Sequence, residues 1–328
     1  MIFKNNNKIA NIYRGTLKIS NVYRGGILVY TGEKSYDGLT FEALEPSTIK
    51  YTPSTVSTAQ YSYDTVNWQS ANNVTLNLNK GDRVFFKGNI TGNQTDTNYS
   101  HFEMTGKISA SGSIMSMQNG DPQDKTLKYT YEFYRLFQDC PSLVKAPELP
   151  ATTLTERCYM NLFVACGLTE PTALPATTLA VRCYQNLFNG CSKLTSAPEL
   201  PATKMVDNCY ANLFLSCSSL TTAPELPATT LDVGCYQGMF YHSGLTKAPV
   251  LPATTLVTDC YKNMFNGCSK LNYIKAMFTN MPSSTYTANW VKEVASNGTF
   301  VKNKDANWIA AYFKGIDGIP EKWTIKTA

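Results

Sequence analysis

A Cys-Tyr pair recurs through the second half of the chain, at Cys158-Tyr159, Cys183-Tyr184, Cys209-Tyr210, Cys235-Tyr236 and Cys260-Tyr261, with spacings of 25, 26, 26 and 25 residues. A Leu-Pro-Ala-Thr segment starting at Leu149, Leu174, Leu200, Leu226 and Leu251 keeps the same rhythm. A fixed period of this length marks a repeat architecture, in which each unit is too small to bury its own apolar face and must stack on its neighbours. Unusually for a repeat, its most regular positions are cysteine and tyrosine.

Within one unit, Leu194 to Leu200 is a short extended stretch closed by Pro201, so it can form only a brief strand. Cys209, Tyr210, Leu213, Phe214 and Cys217 then fall at i, i+1, i+4, i+5 and i+8, a stripe that predicts a helix with one buried face. Six helix-like units are visible. The first is degenerate, carrying Phe133, Leu136, Phe137 and Cys140, and is expected to cap the N-terminal side of the stack.

The unit Cys-Tyr-x-Asn-(Leu/Met)-Phe-x-x-Cys, followed by Leu-Thr-x-Ala-Pro-x-Leu-Pro-Ala-Thr-Thr-Leu, resembles the BspA-like leucine-rich repeats, of the kind found in virion fibre and tail proteins of Bacteroidetes phages. The resemblance covers about 131–275. It implies a leucine-rich-repeat-like α/β solenoid of about six units and a role in attachment.

Ten cysteines raise the question of disulfides or metal. The two in a unit lie eight residues apart, about 12 Å along a helix, beyond the roughly 7 Å limit for a disulfide. No Cys-x-x-Cys occurs and the chain has two histidines, so neither a metal nor a cofactor is expected. The cysteines read as small buried apolar groups, and the fifth unit carries Ser243 in place of its second one.

The flanks differ in texture. Residues 9–30 hold a shorter duplication, Ile12-Tyr13-Arg14-Gly15 and Val22-Tyr23-Arg24-Gly25, whose ten-residue period with Gly at the bends predicts β-hairpins. This strip resembles N-terminal attachment segments of phage tail and fibre proteins. Residues 35–115 contain short alternating runs such as Gln60–Tyr63, Val74–Leu78 and Arg83–Lys87, which predict an Ig-like β-sandwich with Trp68 in its core. Beyond the repeats, a helix at 289–295 and strands near Val301 and Ile325 predict a small α/β cap, with Trp290, Phe300, Trp308 and Trp323 covering the last open core. The fold class is therefore α+β and multi-domain: a strip over 1–34, a sandwich over 35–115, a solenoid over 116–275 and a cap over 276–328.

Net charge is +5, and Lys4, Lys8, Arg14, Lys18, Arg24 and Lys34 against Glu33 place all of it in the first 34 residues. A basic arm on a neutral body suits docking on an acidic protein surface, whereas nucleic-acid binding calls for a denser patch. Lys4, Lys8, Tyr13, Arg14, Tyr23 and Arg24 are the expected attachment residues. No signal peptide and no apolar run long enough to span a membrane is read from the sequence. Catalysis has little material, since neither His101 nor His242 has a nucleophile or orienting acid nearby in sequence, and no phosphate-binding loop occurs.

Recognition is expected where the copies disagree: Met160, Gln185, Ala211, Gln237 and Lys262 on the helices, and Lys145, Glu170, Ser196, Thr222 and Lys247 beside the strands. The resulting expectation is a non-enzymatic virion structural protein of head or tail fibre type. It would be a homo-oligomer anchored to other virion proteins by its N-terminus and contacting host-surface glycan or protein through its repeats. A bacterial cell-surface adhesin is the alternative, and a glycan-active enzyme the third.

Overall fold

The computed structural model describes the strand residues 12–14, 17–19, 21–24 and 27–31 and the segments 36–54, 58–90, 94–279, 282–306, 308 and 314–328. The chain forms two compact units, Met1–Asp37 and Gly38–Ala328. In the first, β1 (Ile12–Arg14) pairs antiparallel with β2 (Leu17–Ile19), and β3 (Asn21–Arg24) with β4 (Ile27–Thr31). The ten-residue duplication thus corresponds to two successive hairpins.

The second unit opens with β5 (Thr40–Ala43), β6 (Ser47–Thr52), β7 (Gln60–Ser62), β8 (Gln69–Ser70), β9 (Thr75–Leu78), β10 (Arg83–Lys87), β11 (His101–Thr105) and β12 (Ile108–Ser111). Sheet order is β12-β5-β10-β7-β8 on one side and β11-β6-β9 on the other. Period-two alternation puts every second residue of β6 and β10 into the space between the sheets. Phe41 and Phe86 of one sheet meet Phe102 of the other edge to face, each with centroids 5.2 Å apart. Trp68 is not in this core. It is half-buried, donates its indole N–H to the Thr65 carbonyl at 3.2 Å and carries the Lys87 ammonium 4.1 Å above its ring. Trp68 lies in the β7–β8 loop, outside the strand alternation that turns residues inward.

Core and sheet both run on past residue 115. After a single helical turn, α1 (Ser116–Asn119), strand β13 (Leu143–Lys145) joins β12 in parallel. Phe102 donates its N–H to the Leu136 carbonyl at 2.8 Å, and Phe137 stacks on the Phe102 ring at 5.3 Å. The facing sheets therefore cover the open end of the first repeat unit.

The repeats do not contain the expected α-helices. Over Arg157 to Cys166, alternate residues donate N–H three positions back, as in Leu162 to the Tyr159 carbonyl at 3.2 Å. The residues between them donate sideways to the next unit: Tyr159 to Cys183, Asn161 to Gln185 and Phe163 to Leu187, each at 3.0 Å. Arg157, Asn161 and Ala165 have φ of 56°, 59° and 57°, so every fourth residue is left-handed. The result is a coil of four-residue turns. A period of four brings i, i+4 and i+8 onto one face almost as a 3.6-residue helix does, so the apolar stripe suits both. What separates them is the sideways ladder, which a helix bonding only to itself cannot make.

The same pattern holds at Arg182, Asn186 and Gly190, and at Asn208, Asn212 and Ser216. Asn and Gly tolerate the left-handed region best, which accounts for the Asn of the Cys-Tyr-x-Asn motif. Tyr159, Tyr184, Tyr210, Tyr236 and Tyr261 stack in one column with centroids 5.8–6.1 Å apart. Phe137, Phe163, Phe188, Phe214, Phe240 and Phe265 form a second at 5.7–5.9 Å. Those spacings with parallel rings are the offset arrangement aromatic quadrupoles favour.

Proline shapes the other side of each unit. The stretch from Leu194 to Leu200 forms no regular strand; neighbouring units touch there through single bridges such as Thr222 with Lys247. Pro198 and Pro201 lack the N–H that a ladder needs. Unit length has its own cause. The two 25-residue spacings each lose one residue after the second core position, at Cys166-Gly167-Leu168 and Ser243-Gly244-Leu245. A Cβ on Gly167 would overlap the Pro141 carbonyl and one on Gly244 the Ser218 carbonyl, so the shortened turn requires glycine.

At the far end β14 (Val250–Leu251), β15 (Tyr273–Ala276), β16 (Thr299–Lys302) and β17 (Thr324–Thr327) make a four-stranded parallel sheet. The helix expected at 289–295 is one more rung of turns, with Asn289 at φ 54° and Glu293 at φ 60°; the described helix here, α2 (Ser284–Thr287), precedes it. Trp290 lies 6.2 Å from Tyr261 and 6.1 Å from Phe265, closing both columns with one indole. Phe300, Trp308 and Trp323 are buried beside it.

Candidate functional site

The ten variable positions separate into two rows. On the Pro-rich side Lys145, Glu170, Ser196, Thr222 and Lys247 are all exposed. Along the coils Met160, Gln185, Gln237 and Lys262 are half-buried, and Ala211 is 1% exposed. Ala211 therefore offers nothing to a ligand: its N–H is bonded to the Asn208 carbonyl within the turn, and its short side chain is covered. The coil row is poor in reach because each turn's side chains are covered by the next.

The exposed row gains depth between two of its members. Thr222 and Lys247, one unit apart, are bridge partners and line a groove of about 660 Å³. Its walls are Pro224, Pro227, Pro249 and Pro252, with Val250 48% exposed at the rim and Glu225 alongside. The prolines lack the N–H that would extend the Thr222–Lys247 bridge into a ladder across this surface. The Lys247 ammonium sits 5.0 Å from the centre of the Tyr273 ring, held by the ring's negative face. Sequence comparison of the copies reaches Thr222 and Lys247. Tyr273 holds the next place in the same row, two residues after Leu271 as Lys247 is after Leu245, so the register of the copies is the signal that finds it, and the proline periodicity marks the groove walls. Glu148, Glu199 and Glu225 are all exposed, at equivalent positions of their units.

The cysteines are structural in a more specific way than their apolar character implies. All ten are free and buried. The second cysteine of a unit donates its S–H to the Phe carbonyl of the preceding unit: Cys166 to Phe137 at 3.0 Å, Cys191 to Phe163 at 3.1 Å, Cys217 to Phe188 at 3.1 Å and Cys268 to Phe240 at 2.9 Å. Burial pushes the thiols of Cys140, Cys158, Cys191 and Cys209 up to about 12 and those of Cys260 and Cys268 up to about 11, so they stay protonated donors. Thiolate chemistry is thereby withheld from them.

His101 does acquire an acidic neighbour in space, Glu103, at 3.5 Å, and Glu103 also pairs with Lys50 at 3.1 Å. The hydrogen bond from Lys50 holds the Glu103 carboxyl below the usual carboxylate range, so it is a committed anion in a surface network. His242 is exposed and packs edge-on to Tyr241. Among the described residues no group of three or more His, Cys, Asp or Glu is placed to hold a metal ion, and no helix is long and apolar enough to cross a membrane.

Of the expected attachment residues, Lys4 and Lys8 lie outside the described residues. Tyr13 and Arg14 fall on β1, opposite Lys18 and Leu17; Tyr23 and Arg24 fall on β3, opposite Leu28 and Ile27. Comparison with protein-family models, with curated proteins and with solved structures returned no match.

Proposed function

We propose that this chain is a non-enzymatic attachment protein, a virion component of fibre type. In this reading the hairpins of residues 1–34 dock on other virion proteins, and the stacked repeats form a solenoid that presents a host-binding face. The observation that carries the reading is the groove between Thr222 and Lys247. There, positions differing between copies meet a concave, exposed surface. A wall of prolines with one cation and one carboxylate favours contact with a polar polymer such as a surface glycan or a protein loop. The unbroken Tyr and Phe columns support a display role, since stability in such a stack is summed over unit interfaces and needs no ligand. The separate pair of hairpins and the charge gathered at that end support docking on an acidic partner.

Two measurements test it. Mass spectrometry and immunogold microscopy of purified particles should find the chain on virions. Its absence from particles and presence on bacterial cells would instead identify a cell-surface adhesin. Separately, Lys247→Glu with Thr222→Arg should abolish adsorption of the purified chain to host cells; unchanged adsorption would remove the groove from the reading.

A further inference from the structure

A second cleft, of about 850 Å³, lies where β7 and β10 meet the loop after α1 and the start of the first turn coil. Its volume is within the roughly 300–1,000 Å³ typical of small-ligand sites. Gln60, Lys87, Asn89, Lys128 and Tyr129 supply its chemistry, with Gln118 in the wall and Asn119 at the edge. This lining is the opposite of the proline groove: side-chain amides, two ammonium groups and a phenol 40% exposed, with Ala59 as its aliphatic component and no carboxylate.

The walls are held before any ligand arrives. Gly88 and Ile90 donate N–H to the carbonyls of Ser116 and Met117 at 2.9 and 2.8 Å, clamping the end of β10 to α1. Gln118, 1% exposed, donates its amide N–H to the Thr126 carbonyl at 3.1 Å. Behind the wall Asp124 accepts from the Thr126 N–H at 3.0 Å and from the Asn119 amide at 3.0 Å, and pairs with Lys128 at 3.3 Å. Lys87 is different. Its ammonium rests 4.1 Å above the Trp68 ring and has no ion-pair partner among the described residues, so it is the cation left to meet a ligand charge.

The polar lining suits an apolar ligand poorly, and a cation meets the unpaired Lys87 ammonium. A free phosphate would leave most of the amides unused. Forked amides match vicinal hydroxyls, a partly exposed Tyr ring matches the apolar face of a pyranose, and an unpaired ammonium matches a sugar acid. We propose that this cleft is a binding site for an anionic oligosaccharide, carboxylated or sulfated, separate from the repeat groove and independent of it.

Calorimetric titration of the full chain tests this with three probes: trigalacturonic acid, a heparin-derived tetrasaccharide and neutral maltotriose. At least one anionic probe should bind at millimolar concentration or below and maltotriose at least about tenfold more weakly. The anionic probe that binds decides between carboxylate and sulfate. Lys87→Ala and Tyr129→Ala should each weaken binding by about tenfold or more, Lys87→Arg should stay close to the parent chain, and Lys270→Ala, at an exposed site outside both the cleft and the groove, should change nothing. Far-UV and near-UV circular dichroism of each variant guards against misfolding. Failure of both anionic probes, or equal binding of maltotriose, overturns the inference. So does loss of binding through Lys247→Ala with Lys87→Ala silent, an outcome that would place the saccharide in the repeat groove instead.

Discussion

Gly238→Ala distinguishes the turn coil from a helix by the sign of its effect. Gly238 lies two residues after Tyr236 in the fifth unit, inside the stripe that reads as helical. In a helix interior, replacing Gly by Ala stabilises by about 1 kcal/mol. In the structure Gly238 has φ 59°, and a Cβ there would overlap the Asn212 side-chain oxygen in the unit before. Placing Ala in the left-handed region costs about 1–2 kcal/mol. Turning the Asn212 amide aside, off its preferred rotamer, adds on the order of 1 kcal/mol. The expected net is a destabilisation of about 2–3 kcal/mol, opposite in sign to the helical case. Urea unfolding of the full chain, followed by circular dichroism, measures it. A second variant apportions the cost: Asn212→Gly removes the overlap but not the φ penalty, so Gly238→Ala should cost roughly 1 kcal/mol less in the Asn212→Gly background than in the parent chain. A neutral or stabilising Gly238→Ala would refute the turn-coil account.

Other consequences follow from the same ladder. Gly244→Ala should destabilise by about 2–4 kcal/mol in urea unfolding, because the new methyl meets the Ser218 carbonyl and backbone must shift at the cost of ladder hydrogen bonds. Cys217→Ser should be mild, since a hydroxyl can donate to the Phe188 carbonyl as the thiol does. Cys209→Ser should cost about 1–3 kcal/mol, because its thiol faces the Met205 sulfur and a hydroxyl there would lack a strong acceptor. The hydroxyls of Tyr159, Tyr184 and Tyr210 are buried with no protein partner, so Tyr210→Phe should be neutral or raise the unfolding midpoint, and a fall would show a hidden partner. Alkali should unfold the chain. The six thiols raised to about 11–12 leave stability unaffected below the ordinary thiol value near 8.5. Above it only the unfolded state releases protons, so each such thiol lowers stability by about 1.4 kcal/mol per pH unit until the folded value is reached. A pH titration at constant temperature should show a steep loss above about pH 9, and a flat response to pH 10 would contradict burial of these groups.

Much of the candidate site was legible in the copies themselves. Thr222 and Lys247 stand out because neighbouring units disagree there, and they prove to be bridge partners in one groove. Ala211 stood out for the same reason and is buried, because disagreement among copies carries no information about how far a side chain is covered by its neighbours. The polar cleft left no mark in the sequence: Gln60, Lys87, Gln118 and Tyr129 are scattered over some seventy residues and converge only when β7, β10 and α1 pack together.

What the sequence by itself determined is the unit: its period, its core stripe of Cys, Tyr, Leu and Phe, the prolines that prevent a continuous ladder on one side, and the thiols as structure instead of chemistry. Tertiary structure decided the backbone that carries the stripe. A four-residue turn and a 3.6-residue helix bury the same i, i+4 and i+8 positions, so local pattern cannot choose between them. The choice falls to the neighbouring unit, whose carbonyls accept every second N–H along the coil. Those hydrogen bonds join residues about 25 apart, and they exist only once the copies are stacked.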